Sequence, residues 1–320
     1  MRKSLKRWAS TVVMRFAPPD TPVVERFVMG HFDRDPALAA RAFRHLSPAG
    51  KVPSTDEAVA EAMIERACAF GYLGWPKRLQ RWVEGRDVLD VGCGTGLHAI
   101  GFALMGVRSY AGLDPKVRLD ADRAKNTKLG RWEPFGWTPA EMMRVFPQLR
   151  LIQGSFEAMA PDDQFDVAVL HNATEHIIAL DEVLAGISRR LRPDGRLIYN
   201  HHNFYCWNGH HMAPKTVRDL QPENAEQRNF VDWAHLRFQP PPGHYFHHGL
   251  NRIRLDELRR VTERHFVVEE WNEVPTDEVR GAGRLTPELL ASHPEYSRRE
   301  LTTQHVFCVA RPRAEARLAA

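Results

Sequence analysis

A short apolar run, Val88-Leu89-Asp90-Val91, passes directly into Gly92-Cys93-Gly94-Thr95-Gly96, and a helical pattern then runs from Leu97 to Met105 and stops at Gly106. Few folds accommodate such a stretch. Glycines let the backbone turn sharply and leave room for a ligand where a Cβ would stand. The helix that follows presents N–H groups with no partner in its own first turn. A second strand, 109–113, ends at Asp114, 24 residues after Asp90. A carboxylate at that point can accept from both hydroxyls of a ribose. Strand, glycine loop, helix and acid together predict a nucleotide crevice at the carboxyl edge of an open α/β sheet.

Hydrophobic patterning extends that sheet. Further strands are predicted at 149–153, 167–170, 196–200, 266–270 and 306–310, with helices at 177–191 and 255–263 separating them. Alternation of this kind predicts a largely parallel sheet with helices on both faces. No convincing helix lies between the last two strands, because 271–303 reads as an irregular excursion, so an antiparallel closing pair is open. Upstream, Ser54 or Thr55 can cap a helix with Ala58, Met63, Ile64 and Ala67 on its apolar face. Gly71, Gly74 and Pro76 interrupt before Leu79, Trp82 and Val83 resume the pattern. Residues 201–253 are too long for a simple connection and are expected to form a cap over the active face. The expected division is therefore an N-terminal extension (1–53), a main domain (54–312) containing the cap (201–253), and a tail (313–320).

Two nucleotide classes fit the loop. Dinucleotide oxidoreductases usually carry G-x-G-x-x-G, whereas here D-x-G-x-G-x-G is spelled by Asp90, Gly92, Gly94 and Gly96. In that spacing VLDVGCGTGLHAIGFALMG resembles the first motif of the class I S-adenosylmethionine-dependent methyltransferases, of the ubiquinone-pathway type. YAGLDP resembles their second motif, LIQGSFEAM the third, FDVAVLHNATEHI the fourth, and ISRRLRPDGRLIYN the stretch leading through the fifth strand. The resemblance covers residues 80–200 in detail and the closing strands more loosely.

The resemblance implies a Rossmann-like, doubly wound seven-stranded sheet of order 3-2-1-4-5-7-6, with the last strand antiparallel. It also implies roles. Asp90 would organise the loop and the methionine ammonium. Gly92, Gly94 and Gly96 would line the methionine and ribose, and Asp114 would hold the ribose hydroxyls. Ser155 stands where the family often has an acid for the adenine amine, with Phe156 packing on the ring. His171 and Asn172 would lie near the transferred methyl. Tyr72 and Trp75 either close over the cofactor or are ordinary packing aromatics.

Methyl transfer from a sulfonium is an in-line displacement, so the protein mainly aligns the acceptor and excludes water. A hydroxyl acceptor also needs a base or a metal. Sixteen histidines are present, and many follow the strands expected to face the ligand. His176, His201 and His202 are the preferred catalytic bases. Asn172-Ala173-Thr174-Glu175-His176 is similar to the E-x-x-E-H motif of metal-assisted O-methyltransferases, although Asn172 replaces its first acid. Glu175 and His176, with His201 or His202, would then hold a divalent ion. The alternative is that Glu175 and His176 serve only in hydrogen bonding.

The acceptor is expected to be an oxygen on a small or glycan-like molecule, because NHHNFYCWNGHHMAPK at the start of the cap mixes rings, amides and imidazoles. N-methylation of a small amine is the enzymatic alternative. A catalytically silent, cofactor-binding scaffold is the non-enzymatic one.

Charge narrows the partners. The chain has 44 basic and 40 acidic residues, but residues 1–16 carry five cations and no acid, leaving 39 against 40 elsewhere. The near-neutral body argues against a broad nucleic-acid surface. Arg123, Lys125, Lys128 and Arg131 read as a solvated helix face. Residues 1–16 read either as a basic amphipathic helix making peripheral membrane contact or as a first helix packed on the domain. Cys68, Cys93, Cys206 and Cys308 are far apart, which suits a reducing, cytoplasmic setting. Cys93, inside the loop, is expected to be a packing residue.

Overall fold

The computed structural model describes residues 57–314. The predicted cap of the first helix at Ser54 or Thr55, the basic segment 1–16 and most of the C-terminal tail lie outside the described residues. The chain divides into two compact units, residues up to Val167 and residues from Ala168 onward.

In the first unit, α1 (Glu57–Phe70) and α2 (Gly74–Val83) precede β1 (Asp87–Val91). Met63, Ile64, Ala67 and Phe70 recur at helical spacing on α1 and are buried. The predicted interruption is narrower than its three residues suggest. Gly71, with φ +89°, makes the turn. Gly74 and Pro76 instead open α2, where a proline loses nothing because first-turn N–H groups have no helical partner. After β1 come the glycine loop, α3 (His98–Leu104), β2 (Ser109–Asp114), a hairpin of β3 (Arg123–Asn126) and β4 (Arg131–Pro134), α4 (Pro139–Val145), β5 (Leu149–Gln153) and β6 (Phe165–His171). β1 and β2 pair in parallel, as do β2 and β5.

The hairpin corrects the helix expected for Arg123, Lys125, Lys128 and Arg131. Arg123 pairs with Pro134, and Asn126 with Arg131, in an antiparallel ladder. Asn126 Oδ1 accepts from the amide of Leu129 at 3.1 Å, and Gly130 takes φ +66°. This local turn chemistry overrides a charge pattern that fits either secondary structure.

In the second unit, α5 (Leu180–Arg190) leads into β7 (Leu191–His202). The segment after β7 holds short 3-10 turns and α6 (Tyr245–His248). α7 (Leu255–His265), β8 (Phe266–Pro275), α8 (Pro287–Ala291), α9 (Arg298–Thr302) and β9 (Thr303–Pro312) complete the described chain. β9 is antiparallel to both β7 and β8. The excursion 271–303 is less irregular than expected, since β8 continues to Pro275 and two short helices follow.

The sheet order is β5-β2-β1-β6-β7-β9-β8. Numbering only these seven strands gives 3-2-1-4-5-7-6 with the last strand antiparallel, the doubly wound Rossmann-like arrangement. Residues expected to cap the active face lie in two small cores, one of them shared with Leu285 and Leu301 from further along the chain. Phe204, Tyr205, Phe230, Phe246 and Leu250 form one, and Trp207, Trp233, Leu285 and Leu301 form another. Phe204, Tyr205 and Trp207 are buried in these clusters. Their rings are therefore not the open stacking surface on which the glycan-like expectation rested.

Candidate active site

In the first unit the site grows from the end of β1. The amide of Gly92 donates to the Leu113 carbonyl at 2.8 Å, tying the loop to β2. The amide of Gly94 donates to Asp114 Oδ2 at 2.8 Å, and the amide of Lys116 to Asp114 Oδ1 at 2.7 Å. Each Asp114 oxygen thus has one backbone donor and keeps acceptor capacity for a hydroxyl. Gly94 has φ +61°, and a Cβ there would meet nothing within 4 Å. The loop is open at that point. At Gly96, φ is +75° and a Cβ would strike Leu151 Cδ1 at 2.7 Å, so β5 packs against the bare backbone.

Asp90 lies beneath the loop and is almost fully buried. Its Oδ2 accepts from the Tyr110 hydroxyl at 2.7 Å. Burial pushes its carboxyl up to about 7, opposed by the Tyr110 hydrogen bond and reinforced by the charge of Asp114. Among the described residues, no lysine or arginine side chain pairs with Asp90 or Asp114. Two neighbouring carboxylates, one of them buried, form a site that favours a cationic ligand. S-adenosylmethionine fits this donor set, because it carries a sulfonium, an ammonium and a ribose diol. Asp114 would hold the diol, and Asp90 would answer the positive charge.

The remaining expected cofactor residues of this unit lie past β5. The Gly154 amide donates to the Asp114 carbonyl at 3.2 Å, which sets the turn after β5 beside the end of β2. Ser155 is exposed, and its hydroxyl donates to the Glu157 carboxylate. Phe156 is half-buried in the same turn. Tyr72 is buried, donates to the Lys125 carbonyl at 2.7 Å and meets the His98 ring edge-on at 4.8 Å. Cys93 is buried, with its thiol well above the ordinary range because of that burial. It packs, as expected.

In the second unit β6 ends at His171, and Asn172 follows. Asn172 adopts φ +50°. It donates its amide to the Asn200 carbonyl at 2.8 Å and accepts the Asn200 side-chain amide at 2.7 Å. A single 3-10 turn, Thr174–His176, follows. Asn251 holds this turn from the far end of the cap. Its Nδ2 donates to the carbonyls of Thr174 (2.7 Å) and Ile177 (2.8 Å), and its amide donates to the Glu175 carbonyl (2.8 Å).

Glu175 is almost fully buried among imidazoles. Burial raises its carboxyl to about 8, against the pull of amide donors from Glu175 and His202. Its Oε1 accepts no hydrogen bond, and His176 Nε2 stands 4.0 Å away. His201 is buried, its Nδ1 is 2.9 Å from the Thr174 hydroxyl, and desolvation lowers it to about 3. His202 is also lowered to about 3, first by burial and then by His305. The β7–β9 register sets His202 opposite His305, and the two rings stack with centroids 4.9 Å apart.

His176 is more exposed than these. Its Nδ1 lies 2.7 Å from the Gly249 carbonyl and 3.0 Å from the Tyr245 hydroxyl. A carbonyl can only accept, so Nδ1 carries the proton and Nε2 of the neutral ring keeps the lone pair.

The structure thus gathers Asp90, Gly92, Gly94, Gly96 and Asp114 in the first unit. In the second it gathers Glu175, His176, His201 and His202. Sequence reasoning passed over Tyr110 and Asn251, and it left His211 among the histidines after the fifth strand without singling it out. Tyr110 was legible in principle, because it lies two residues from Gly112, the β2 partner of Asp90, and a tyrosine there can reach that acid. His211 gave no such signal. It sits in the cap at φ +61°, with Nε2 2.9 Å from His202 Nδ1.

A family model described as a methyltransferase domain matches residues 69–265, more than half of the chain. The chain is 30% identical over 129 residues to the cypemycin N-terminal methyltransferase of a Streptomyces species, a match spanning 39% of this chain and 45% of that relative. This chain therefore covers less than half the length of that relative. Among solved structures, an S-adenosylmethionine dependent methyltransferase from Mesorhizobium loti aligns with TM-score 0.44 and 16% identity, covering 75% of this chain and 100% of that one. The 1,6-didemethyltoxoflavin-N1-methyltransferase of Burkholderia thailandensis aligns with TM-score 0.39 and 16% identity, covering 81% and 80%. Among the described residues no helix is long and apolar enough to cross a membrane. With the matched segment running from α1 to the end of α7, across the glycine loop, Asp114 and the turn after β6, the chain belongs to the methyltransferase-domain family, the class I S-adenosylmethionine-dependent methyltransferases.

Proposed function

We propose that this protein transfers the methyl group of S-adenosylmethionine to an oxygen of a small-molecule acceptor. The observation that carries the donor side is the carboxylate pair of Asp90 and Asp114, without a cation among the described residues, at an open glycine loop. Bound there, S-adenosylmethionine supplies a methyl already activated by a sulfonium leaving group.

The chain's own residues then hold and orient. Asp114 accepts the ribose hydroxyls while its two backbone donors keep the carboxylate fixed. Asp90 offsets the positive charge. On the acceptor side His176 takes the proton that the attacking oxygen releases, at Nε2, because Gly249 holds its Nδ1 in the protonated tautomer. His201 is too buried to touch an acceptor and acts through the Thr174 hydroxyl, as a positioning residue. Burial keeps His202 a weak base, so of the three expected bases His176 is favoured. Ser155, Phe156, His171 and Asn172 remain proposed cofactor contacts.

A second reading, methyl transfer to an amine, is favoured by the likeness to the Streptomyces N-terminal methyltransferase. A neutral amine needs no base before attack, so the two readings respond differently to one substitution. Labelled S-adenosylmethionine is supplied with panels of hydroxylated and amine acceptors, using wild-type protein and His176→Ala. Transfer to a hydroxyl that collapses in the variant supports the first reading. Transfer confined to amines and indifferent to the substitution replaces it with the second. Donor binding without transfer to any acceptor leaves the silent scaffold.

A further inference from the structure

From the position of His211 we infer that Glu175, His202 and His211 form a binding site for a divalent first-row transition ion. His176, the expected partner of Glu175, stands with Nε2 4.0 Å from Glu175 Oε1, but the three-residue group brought together is a different one. Among the described residues, Glu175, His202 and His211 each bring one ligand atom to within 4.8 Å of the others.

Three elements converge to do this. Glu175 lies in the 3-10 turn after β6, His202 is the last residue of β7, and His211 lies nine residues further on in the cap. His211 reaches the cluster only by holding φ +61°, a backbone region that residues other than glycine rarely adopt. The second observation is Glu175 Oε1. It belongs to a nearly fully buried side chain, it accepts no hydrogen bond, and it lies among imidazoles. A buried acceptor left without a donor marks a place where an electrophile is expected.

The chemistry selects the ion class. Two imidazoles and one carboxylate suit zinc, iron(II), cobalt, nickel or manganese, whereas calcium and magnesium favour oxygen-only sets. A tetrahedral ion with bonds of about 2.0–2.1 Å places its ligands roughly 3.4 Å apart. His202 and His211 already stand with ring nitrogens 2.9 Å apart. Closing the set needs shifts of about an ångström in side chains that are themselves half-buried or at a turn. His202 and His211 are both partly exposed. Three ligands leave the ion's further positions for water or another oxygen donor. The site would also clamp the cap to the ends of β6 and β7.

Metal binding here is independent of the methyl-transfer reading, and it is tested without a methyl donor. Chelator-treated protein, exchanged into chelator-free buffer, is titrated calorimetrically with zinc chloride. A parallel titration with cobalt(II) is followed by visible absorption. One equivalent is expected to bind, with the absorption of imidazole-ligated cobalt. His211→Ala and Glu175→Gln are each expected to lose at least about tenfold in affinity, while His248→Ala, on an exposed histidine of α6, binds as wild type does. Thermal unfolding in the absence of metal shows that each variant is folded. If Glu175→Gln does not fold, His211→Gln carries the test. No binding by wild-type protein, or unchanged affinity in the His211 variants, overturns the inference. S-adenosylmethionine affinity of the metal-free protein is measured separately, so failure of one assignment does not imply failure of the other.

Discussion

The Tyr110 hydroxyl donates to Asp90 Oδ2 at 2.7 Å, from one parallel strand to its neighbour. That bond is a neutral support for a carboxyl that burial holds at about 7. The site thus stores an acid on the verge of ionisation directly beneath the donor loop.

A folded-state value above the unfolded one fixes the sign of a pH effect. The stability contributed by protonated Asp90 is fully present below the unfolded value near 4, and it is lost as pH rises through about 7. Asp90→Asn should therefore be more stable than wild type at pH 8, by up to a few kcal/mol at about 1.4 kcal/mol per unit. Donor binding runs the other way. Affinity of wild type for S-adenosylmethionine should rise between pH 6 and pH 8 as Asp90 ionises, with proton release on binding, and Asp90→Asn should flatten that rise. Calorimetry in buffers of different ionisation heat, with thermal melts at each pH, checks both. A pH-independent affinity would remove Asp90 from the charge balance.

Asp114 accepts from the Gly94 amide at 2.8 Å, and on the proposed reading it would also hold the donor's ribose. Asp114→Ala should weaken S-adenosylmethionine binding by about 1–3 kcal/mol, through loss of charge-assisted hydrogen bonds. Unchanged affinity would reject the ribose role.

Gly96 has a steric role distinct from the open loop at Gly94. Its φ of +75° and the 2.7 Å approach of Leu151 to a built Cβ predict that Gly96→Ala destabilises the fold by about 1–3 kcal/mol. Gly94→Ala meets no neighbour and should strain the loop alone. The comparison of melting temperatures is the measurement, and an equal loss in both variants would contradict it.

His176→Ala should lower kcat for a hydroxyl acceptor by about 10²–10⁴, the usual contribution of a positioned base, with little change in donor affinity. Single-turnover transfer and donor titration separate the two quantities. Loss of donor binding instead would assign His176 to the cofactor.

Asn251 closes the turn that carries Glu175 and His176. Asn251→Ala removes donors to two carbonyls, at 2.7 and 2.8 Å, and should cost about 1–3 kcal/mol of stability. It should also reduce turnover at a temperature where the variant is fully folded. Retained stability and turnover would make the tether redundant.

The sheet was legible through the short, largely apolar runs of β1, β2, β5 and β6, whereas the full extent of β7, β8 and β9, of 10 to 12 residues with polar and charged positions, was not. The cradle was legible because glycine spacing and the acid at 114 obey backbone constraints that few alternatives meet. What stayed hidden depended on contacts distant in sequence or on one backbone angle. Charges at 123–131 fit a helix face as well as a hairpin until Asn126 and Gly130 decide the turn. The cap's aromatics read as an exposed surface, because a sequence does not say that Phe204, Tyr205 and Trp207 are covered by partners up to about a hundred residues away. His211 reached its cluster through a left-handed φ that its residue type does not advertise.

The crowding of two acids beneath the glycine turn bears on turnover as well as capture. Once the methyl has left, the sulfur of the spent molecule is neutral, and the attraction that drew the donor in is weaker by one unit of charge. On the proposed reading, the pocket that recruits fresh donor would thereby be biased to let the demethylated remnant go.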